Sequence, residues 1–503
     1  MTVYPLSAKE FELDGLEDPN PLYIGAKAFN LYRMSRMGLP VPDGFVLSCN
    51  HRKELGSLYH SGLCERMETL ATWVGRCWVA SSDDFTRPLL VSVRSGAPVS
   101  MPGMLDTILN VGLTREKIPL LNEAYKASDR FGFDCYRRLI QMYGVSVESI
   151  DPKAFTEYAD AAKTFFIDIG KSERACQRLV DIYEGVFERE TGRGFPSEME
   201  QITKAVDAVY DSWDSPAAVA YRESTGIDSG LGTAVIVQQM VFGNHDDSSG
   251  SGVVFTHNPN TGEKGMYGEF MIQGQGEDVV AGTHTTTPIA QLGNNNFTKP
   301  LKSLKIYLGR LFVEFSEILD IEFTIESGKL YLLQFRTAKR SRRASIRFAM
   351  DMMRDGVLSS EEATKRITDL FPSDSGLILN NENLEFAGFG VAVGGETISA
   401  PIAIGHTAKT LADQKDPFIY VAENTDAADF PLLSAATGIL TANGGALSHA
   451  AILARSWDKP CVVGFEDMKV FEDHILINQI KIPNGTIIQI DGSEGSVYVP
   501  TPT

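Results

Sequence analysis

The stretch Gly438-Ile-Leu-Thr-Ala-Asn-Gly-Gly-Ala-Leu-Ser-His-Ala-Ala-Ile-Leu-Ala-Arg455 narrows the fold more than any other part of the chain. Ile439 and Leu440 read as the end of a buried strand, and Asn443-Gly444-Gly445 as a tight turn. Ser448 is a natural N-cap for a short Ala-rich helix over Ala450 to Arg455. This succession puts His449 on a first helical turn, where free N–H groups and the positive end of the helix dipole can hold an anion. A neutral imidazole is a competent nucleophile near neutral pH, and Gly444, Gly445 and Ser448 would support a phosphoryl group on it. Taken alone, a Gly-Gly-x-x-Ser-His run is more often a polar helix start. The rest of the chain has to decide.

At 503 residues the chain exceeds one ordinary core, so two to four domains are expected. Apolar residues at 43% and charged residues at 22% describe a soluble globular protein. No apolar run is long enough to cross a bilayer, and the first ten residues lack a signal pattern. Six cysteines without a C-x-x-C pair predict reduced thiols and a cytoplasmic location. A formal charge of −19 argues against a broad nucleic-acid or membrane surface, while leaving room for a local basic pocket.

Four further clusters carry chemistry. Gly25-Ala-Lys27-Ala, a small-residue turn before an amphipathic helix reaching about Met37, offers a phosphate hook that is not a Walker loop. The strand Leu89–Ala97 ends in Arg94, and the loop that follows contains Ser100, Gly103 and Thr107. A guanidinium beside loop N–H groups suits a phosphate clamp; a salt-bridged arginine at a sheet rim is the plainer reading. Glu277, behind a glycine, could accept two ribose hydroxyls or could simply be a solvated loop acid. In Asp320-Ile-Glu-Phe-Thr-Ile-Glu326 the acids 320 and 322 share one strand face while Ile321, Phe323 and Ile325 share the other. A three-residue turn, Ser327-Gly-Lys329, would set Glu322 opposite Gln334 and Asp320 opposite Arg336. That face would bind Mg2+ through the acids Asp320 and Glu322, with the Gln334 amide beside them, and phosphate through Arg336, unless it is only the solvated side of an antiparallel pair.

Taken together, Thr441-x-x-Gly444-Gly445-x-x-Ser448-His449-Ala-Ala and Val91-Ser-Val-Arg-Ser-Gly-Ala97 with its loop resemble the pyruvate phosphate dikinase family of phosphoenolpyruvate-utilising enzymes. The resemblance runs from about residue 20 to 499 and implies an α/β (α+β multidomain) chain. An ATP-grasp nucleotide-binding domain over 1–337, with a helical insertion near 115–225, would be followed by a helical linker and hinge at 338–386. A swivelling β/β/α phosphohistidine domain would occupy 387–503. The linker's flexible part is expected near 371–386, and its basic start, Lys339 to Arg343, as a solvated helix start.

By the resemblance His449 is the phosphoryl carrier, and Lys27, Arg94, Ser100, Gly103 and Thr107 contact nucleotide phosphates. Glu277 takes the sugar, and Asp320, Glu322, Gln334 and Arg336 complete the Mg·ATP site. Three positions depart from the family: His257 stands for an arginine before Asn-Pro, Asn443 for an arginine and Leu447 for a threonine. A neutral imidazole is a poor substitute for a guanidinium at a phosphate, and loss of the arginine at 443 removes a cation that could stabilise phosphohistidine.

The family's pyruvate-binding barrel is expected to be absent, since the resemblance stops at about residue 499. The implied activity is an ATP-dependent phosphotransferase that autophosphorylates His449, with inorganic phosphate as a possible co-substrate. The acceptor is either an unidentified small molecule or one bound by a separate protein, as in a split dikinase. A kinase of another small molecule, and a catalytically weak ATP-binding regulator suggested by Asn443 and His257, are the other readings.

Overall fold

The computed structural model describes residues 3–7, 9, 19–55, 62–78, 87–99, 101, 107–155, 173–280, 286–292, 296–368, 384–446, 448–477 and 480–500. Its contacts divide the chain into two units, one of residues 1–250 with 324–335 and one of 251–323 with 336–503. This division differs from the boundaries expected from sequence, because residues 251–323 group with the carrier region.

In the first unit the strands Val3–Pro5, Gly44–Leu47, Ala234–Gln239, Val91–Gly96 and Thr107–Val111 form one sheet in that order. Every neighbouring pair is antiparallel. The near-continuous apolar runs in its central strands match burial on both faces, as the successive residues Val235, Ile236 and Val237 are all inaccessible. The insertion is helical as expected, with helices Ile118–Tyr125, Asp129–Ser146, Glu173–Thr191, Glu198–Asp211 and Pro216–Thr225. Its apolar stripes meet around Tyr143, Phe187 and Phe195, whose rings lie 5.0 to 6.3 Å apart. The aromatics there are core.

The helix Pro21–Arg36 begins earlier than the sequence suggested, because Asn20 caps it through Leu22 N–H and Pro21 is preorganised for a first turn. Gly25, with φ +77° and ψ 156°, interrupts it, so Lys27 stands just after a break. A Cβ on Gly25 would lie 1.7 Å from the carbonyl oxygen of Gly96, and Ala26 N–H donates to Ala97 O. Only glycine permits both that torsion and that approach.

In the second unit the strands Leu319–Glu326, Gly250–His257, Lys264–Ile272 and Thr287–Pro288 are neighbours in one sheet. The strand Lys264–Ile272 and the helix Thr298–Phe315 carry no motif. Lys264–Ile272 is mostly half-exposed and broken by Gly265 and Gly268, which hides its alternation.

The carrier region has an eight-stranded sheet, ordered Leu384–Phe389, Ser496–Pro500, Ile487–Asp491, Thr397–Ala403, Ile419–Ala422, Gly438–Thr441, Cys461–Val463 and Val391–Gly394. Its central neighbours from Thr397–Ala403 to Cys461–Val463 are parallel. A three-stranded meander over 468–483 closes the core around Ile475, Ile477, Ile488 and Ile490. The mixed α/β architecture matches the expected one. The expected flexible stretch 371–386 falls mostly outside the described residues, but Leu384 to Phe386 are strand, paired with Val499 and its neighbours. The basic run is not wholly solvated, since Arg340 is ion-paired with Glu317 at 2.7 Å.

Candidate active site

The strand Gly438–Thr441 ends where its neighbour Ile419–Ala422 ends, and Asn443 N–H donates to Glu423 O across the two loops. The loop then turns through Gly444 (φ +105°), where a Cβ would press on Ser448 at 3.1 Å. The helix His449–Trp457 follows, so His449 is its first residue. Ser448 has the extended torsions of an N-cap, yet its hydroxyl caps nothing: Oγ is buried without a hydrogen-bond partner. This corrects the expected side-chain cap. Leu447 lies outside the described residues, and Asn443 is exposed.

His449 is half-buried, and both ring nitrogens are covered with no hydrogen-bond partner. Burial pushes its pKa below the usual histidine range, against the opposing pull of Asp426 and Asp429. These aspartates form a capping box at the end of the neighbouring strand's loop, where Asp429 also accepts from Tyr420 Oη at 3.0 Å. Sequence reasoning missed both; Asp-x-x-Asp reads only as a helix start. The ring is neutral at pH 7 and has a lone pair to offer.

Within the second unit the histidine loop lies against the sheet of residues 250–326. A Cβ on Gly445 would fall 2.7 Å from a carboxylate oxygen of Glu269, whose other oxygen accepts from Thr286 at 2.9 Å. Arg455, 3% exposed, donates through Nη2 to Ala446 O, and its guanidinium stands 6.0 Å from the Phe255 ring centroid. Glu269 was not singled out from sequence, for a strand glutamate carries no local signal.

The face expected at 320–336 is partly assembled. Ala338 N–H donates to Ile318 O and Arg336 Nε to Asp320 Oδ2 at 2.8 Å, so 320 and 336 face each other as expected. The turn has two residues rather than three: Ser327 and Gly328 both take positive φ, and Lys329 already belongs to the return strand. The acids are less exposed than a solvated face requires, Asp320 at 6% and Glu322 half-buried. Burial works against the charge of Arg336, but Asp320 and Glu322 more than offset it and raise its pKa. Asp320 Oδ1 is buried with no hydrogen-bond partner, as suits an atom that takes a metal or a ligand proton. Glu277 is exposed on the first turn of Gly276–Val280.

His257 is enclosed by aromatic rings. It is 4% exposed between Phe312 and Phe348, at 5.1 and 5.3 Å, with Nδ1 3.1 Å from Thr256 Oγ1. Burial pushes its pKa down to about 4. It is a buried, neutral histidine.

The remaining expected residues belong to the first unit. Arg94, 8% exposed, donates to Leu333 O at 3.1 Å and to Gln334 Oε1 at 3.4 Å, and pairs in register with Thr107. Gln334 thus meets Arg94. Lys27 is half-buried behind the Gly25 break. Ser100 and Gly103 lie outside the described residues.

Comparison with known proteins gives two family matches. Residues 67–295 match the pyruvate phosphate dikinase AMP/ATP-binding domain, and residues 414–495 the mobile domain of PEP-utilising enzymes. Among similar proteins, pyruvate, phosphate dikinase 1 of Oryza sativa subsp. japonica is 38% identical over 95% of this chain and 51% of its own length. The Rhizobium meliloti pyruvate, phosphate dikinase is 37% identical over 98% and 57%, and that of Clostridium symbiosum 37% over 94% and 56%. The chain thus spans about half the length of the curated relatives it matches. No helix among the described residues is long and apolar enough to cross a membrane. With the nucleotide-binding match, the mobile-domain match and relatives 37–38% identical over nearly the whole chain, the chain belongs to the pyruvate phosphate dikinase family.

Proposed function

We propose that this chain is an ATP-dependent phosphotransferase that phosphorylates its own His449 and surrenders the group to an acceptor, in the manner of the ATP half of a dikinase. The single observation that carries the reading is the state of His449: neutral, sheltered, with both ring nitrogens lacking a hydrogen-bond partner, and on a loop packed against the strand that holds Glu269.

In this reading an imidazole nitrogen attacks a phosphorus of ATP and the P–O bond to the departing nucleotide, ADP or AMP, breaks with its electron pair on that oxygen, while Arg336 and Arg94 hold phosphate oxygens and Lys27 adds a third cation. Ser100, Gly103 and Thr107 line the phosphates, and Glu277 takes the ribose. The covered position of His449 keeps water from competing for the phosphoryl group. Mg2+, when bound, would neutralise charge on the phosphates; Asp320 through Oδ1 and Glu322 suit it as ligands, with Gln334 the third expected. Among the described residues no three His, Cys, Asp or Glu side chains converge on one point, as suits an ion that keeps water and phosphate oxygens as ligands.

The nucleotide-binding domain over 1–337, the linker over 338–386 and the carrier over 387–503 are the functional parts we assign. Delivery requires the carrier to leave the loading site, since both reactions need the same imidazole. The acceptor is a small molecule bound by this chain or by a separate barrel protein, the latter making a split dikinase in the cytoplasm.

The test is incubation with ATP and Mg2+, with and without inorganic phosphate. Acid-labile label on the wild type and none on His449→Ala would support the reading. AMP formed only with phosphate would specify dikinase chemistry. ATP binding without any label would sink it in favour of a regulatory role.

A further inference from the structure

The helix Thr298–Phe315 buries Leu301, Leu304, Leu308 and Leu311 on one side, at the three- and four-residue spacing that lays an apolar stripe on a core. The opposite side repeats that spacing in the open. Ile306 is 62% exposed and Val313, seven residues on, is 79% exposed. Gly309 lies between them on the same ridge, also exposed, and no described residue comes within 4 Å of where its Cβ would stand. Single exposed apolar side chains are ordinary, but two on one ridge with a glycine between them leave a groove for a second helix. Glycine weakens a helix interior, and no described residue fills the space that this one leaves.

Charge decides what fits there. Arg310 and Glu314 are exposed and stand four residues apart along one flank of the ridge. In an antiparallel helix pair related by a two-fold axis, each flank meets its own counterpart. With the axis level with Phe312, midway between them, Arg310 of each copy faces Glu314 of the other. The two Val313 side chains then meet beside the axis, each opening onto the gap at Gly309 of the facing helix. Lys299, Lys302 and Lys305 lie towards the helix start, beyond Phe315, the last residue of the facing helix. They are thus set not against one another but against a helix carboxyl end, where positive charge is favoured. Of the other charges, Glu317 is taken by Arg340, and Lys264 stands by the Phe312 ring, on the flank opposite Arg310 and Glu314.

We propose that this helix is the contact surface for a second copy of the chain: two Thr298–Phe315 helices cross antiparallel at Val313, clasped by two reciprocal Arg310–Glu314 pairs. A single helix crossing lies at the small end of specific interfaces, so the dimer forms and parts with concentration. Its two-fold symmetry closes the assembly at two copies. The contact requires nothing of the phosphotransfer reading.

The test is sedimentation equilibrium of the full chain at concentrations up to about 100 µM. Salt at about 0.15 M screens the long-range repulsion between two copies that each carry −19. Wild type should approach twice the chain mass as concentration rises. Val313→Asp, an exposed change that leaves the core alone, should weaken association about tenfold or more. Arg310→Glu and Glu314→Arg should each weaken it alone, and an equimolar mixture of the two should recover to within about twofold of wild type. The mixed pair sets each reversed charge against its opposite, which no effect within one chain can imitate. A wild type that stays monomeric throughout overturns the proposal. A dimer unmoved by Val313→Asp also overturns it, placing the contact on another face. Charge variants that associate like wild type, or that fail to recover on mixing, overturn the antiparallel crossing and the proposal with it.

Discussion

Gly25 and Gly96 touch backbone to backbone: a single added carbon on the first would sit 1.7 Å from the carbonyl oxygen of the second. Gly25→Ala must therefore either push apart the Lys27 helix and the Arg94 strand or abandon a torsion of φ +77°. Each costs on the order of 1–3 kcal/mol. The expected result is a chain destabilised by a few kcal/mol in urea unfolding, with ATP affinity reduced alongside. Unchanged stability would contradict the close approach.

The Asp320–Arg336 pair predicts an asymmetric mutant series. Asp320→Ala takes from Arg336, about a quarter exposed, its hydrogen-bonded carboxylate, at about 1–3 kcal/mol, and removes the unpartnered Oδ1. Asp320→Asn keeps the shape and an acceptor, so it should lose far less stability. Both should lose His449 labelling by about a hundredfold or more if Asp320 serves the metal. Equal melting curves for the two variants would argue against the buried pair.

His257 supplies a pH signature of the fold. Its pKa drops from 6.5 to about 4 because burial, then Lys264 and Arg340, disfavour the cation more than Asp351 and Glu317 favour it. The unfolded chain thus binds the extra proton first, and stability falls as pH drops from 6.5 towards 4, by up to roughly 3 kcal/mol. His257→Leu should lose that part of the pH dependence. Unfolding of both proteins at pH 7, 5.5 and 4.5 gives the difference.

A side chain on Gly445 would displace the Glu269 carboxylate, 2.7 Å from where its Cβ would stand. Gly445→Val should slow His449 labelling by about ten- to a hundredfold with ATP affinity nearly intact, since loop placement rather than nucleotide binding is disturbed. Glu269→Ala should restore part of the loss in the double variant, a coupling that two independent defects would not produce.

The lowered pKa of His449 sets the pH range of loading. The imidazole should remain a nucleophile below pH 6.5, so the pH at which labelling halves on acidification should lie below that value. A rate that halves near pH 6.5 would mean an ordinary, solvated histidine.

Much of the candidate site was legible because its residues sit in local patterns. Gly-Gly before Ser-His, and a strand closing on Arg94 before a Gly/Ser/Pro loop, are read within ten residues of chain. The Asp320–Arg336 pairing also followed from strand alternation, although the turn between them was misjudged by one residue. What escaped depends on tertiary packing. His257 reads as a lost arginine until Phe312 and Phe348 enclose it, and Glu269 has no meaning until Gly445 lies against it. Ser448 shows the converse, a residue type suited to capping whose hydroxyl is turned to no backbone donor.

Parallel strands open their carboxyl ends on one rim, and here the loops after Ile419–Ala422 and Gly438–Thr441 share it. Asp426 and Asp429 stand on one loop and His449 follows the other. A phosphoryl group on that ring adds negative charge within reach of two carboxylates, with an exposed asparagine at 443 in place of a cation. The loaded protein would hold its cargo under repulsion and give it up readily, as befits a courier rather than a warehouse.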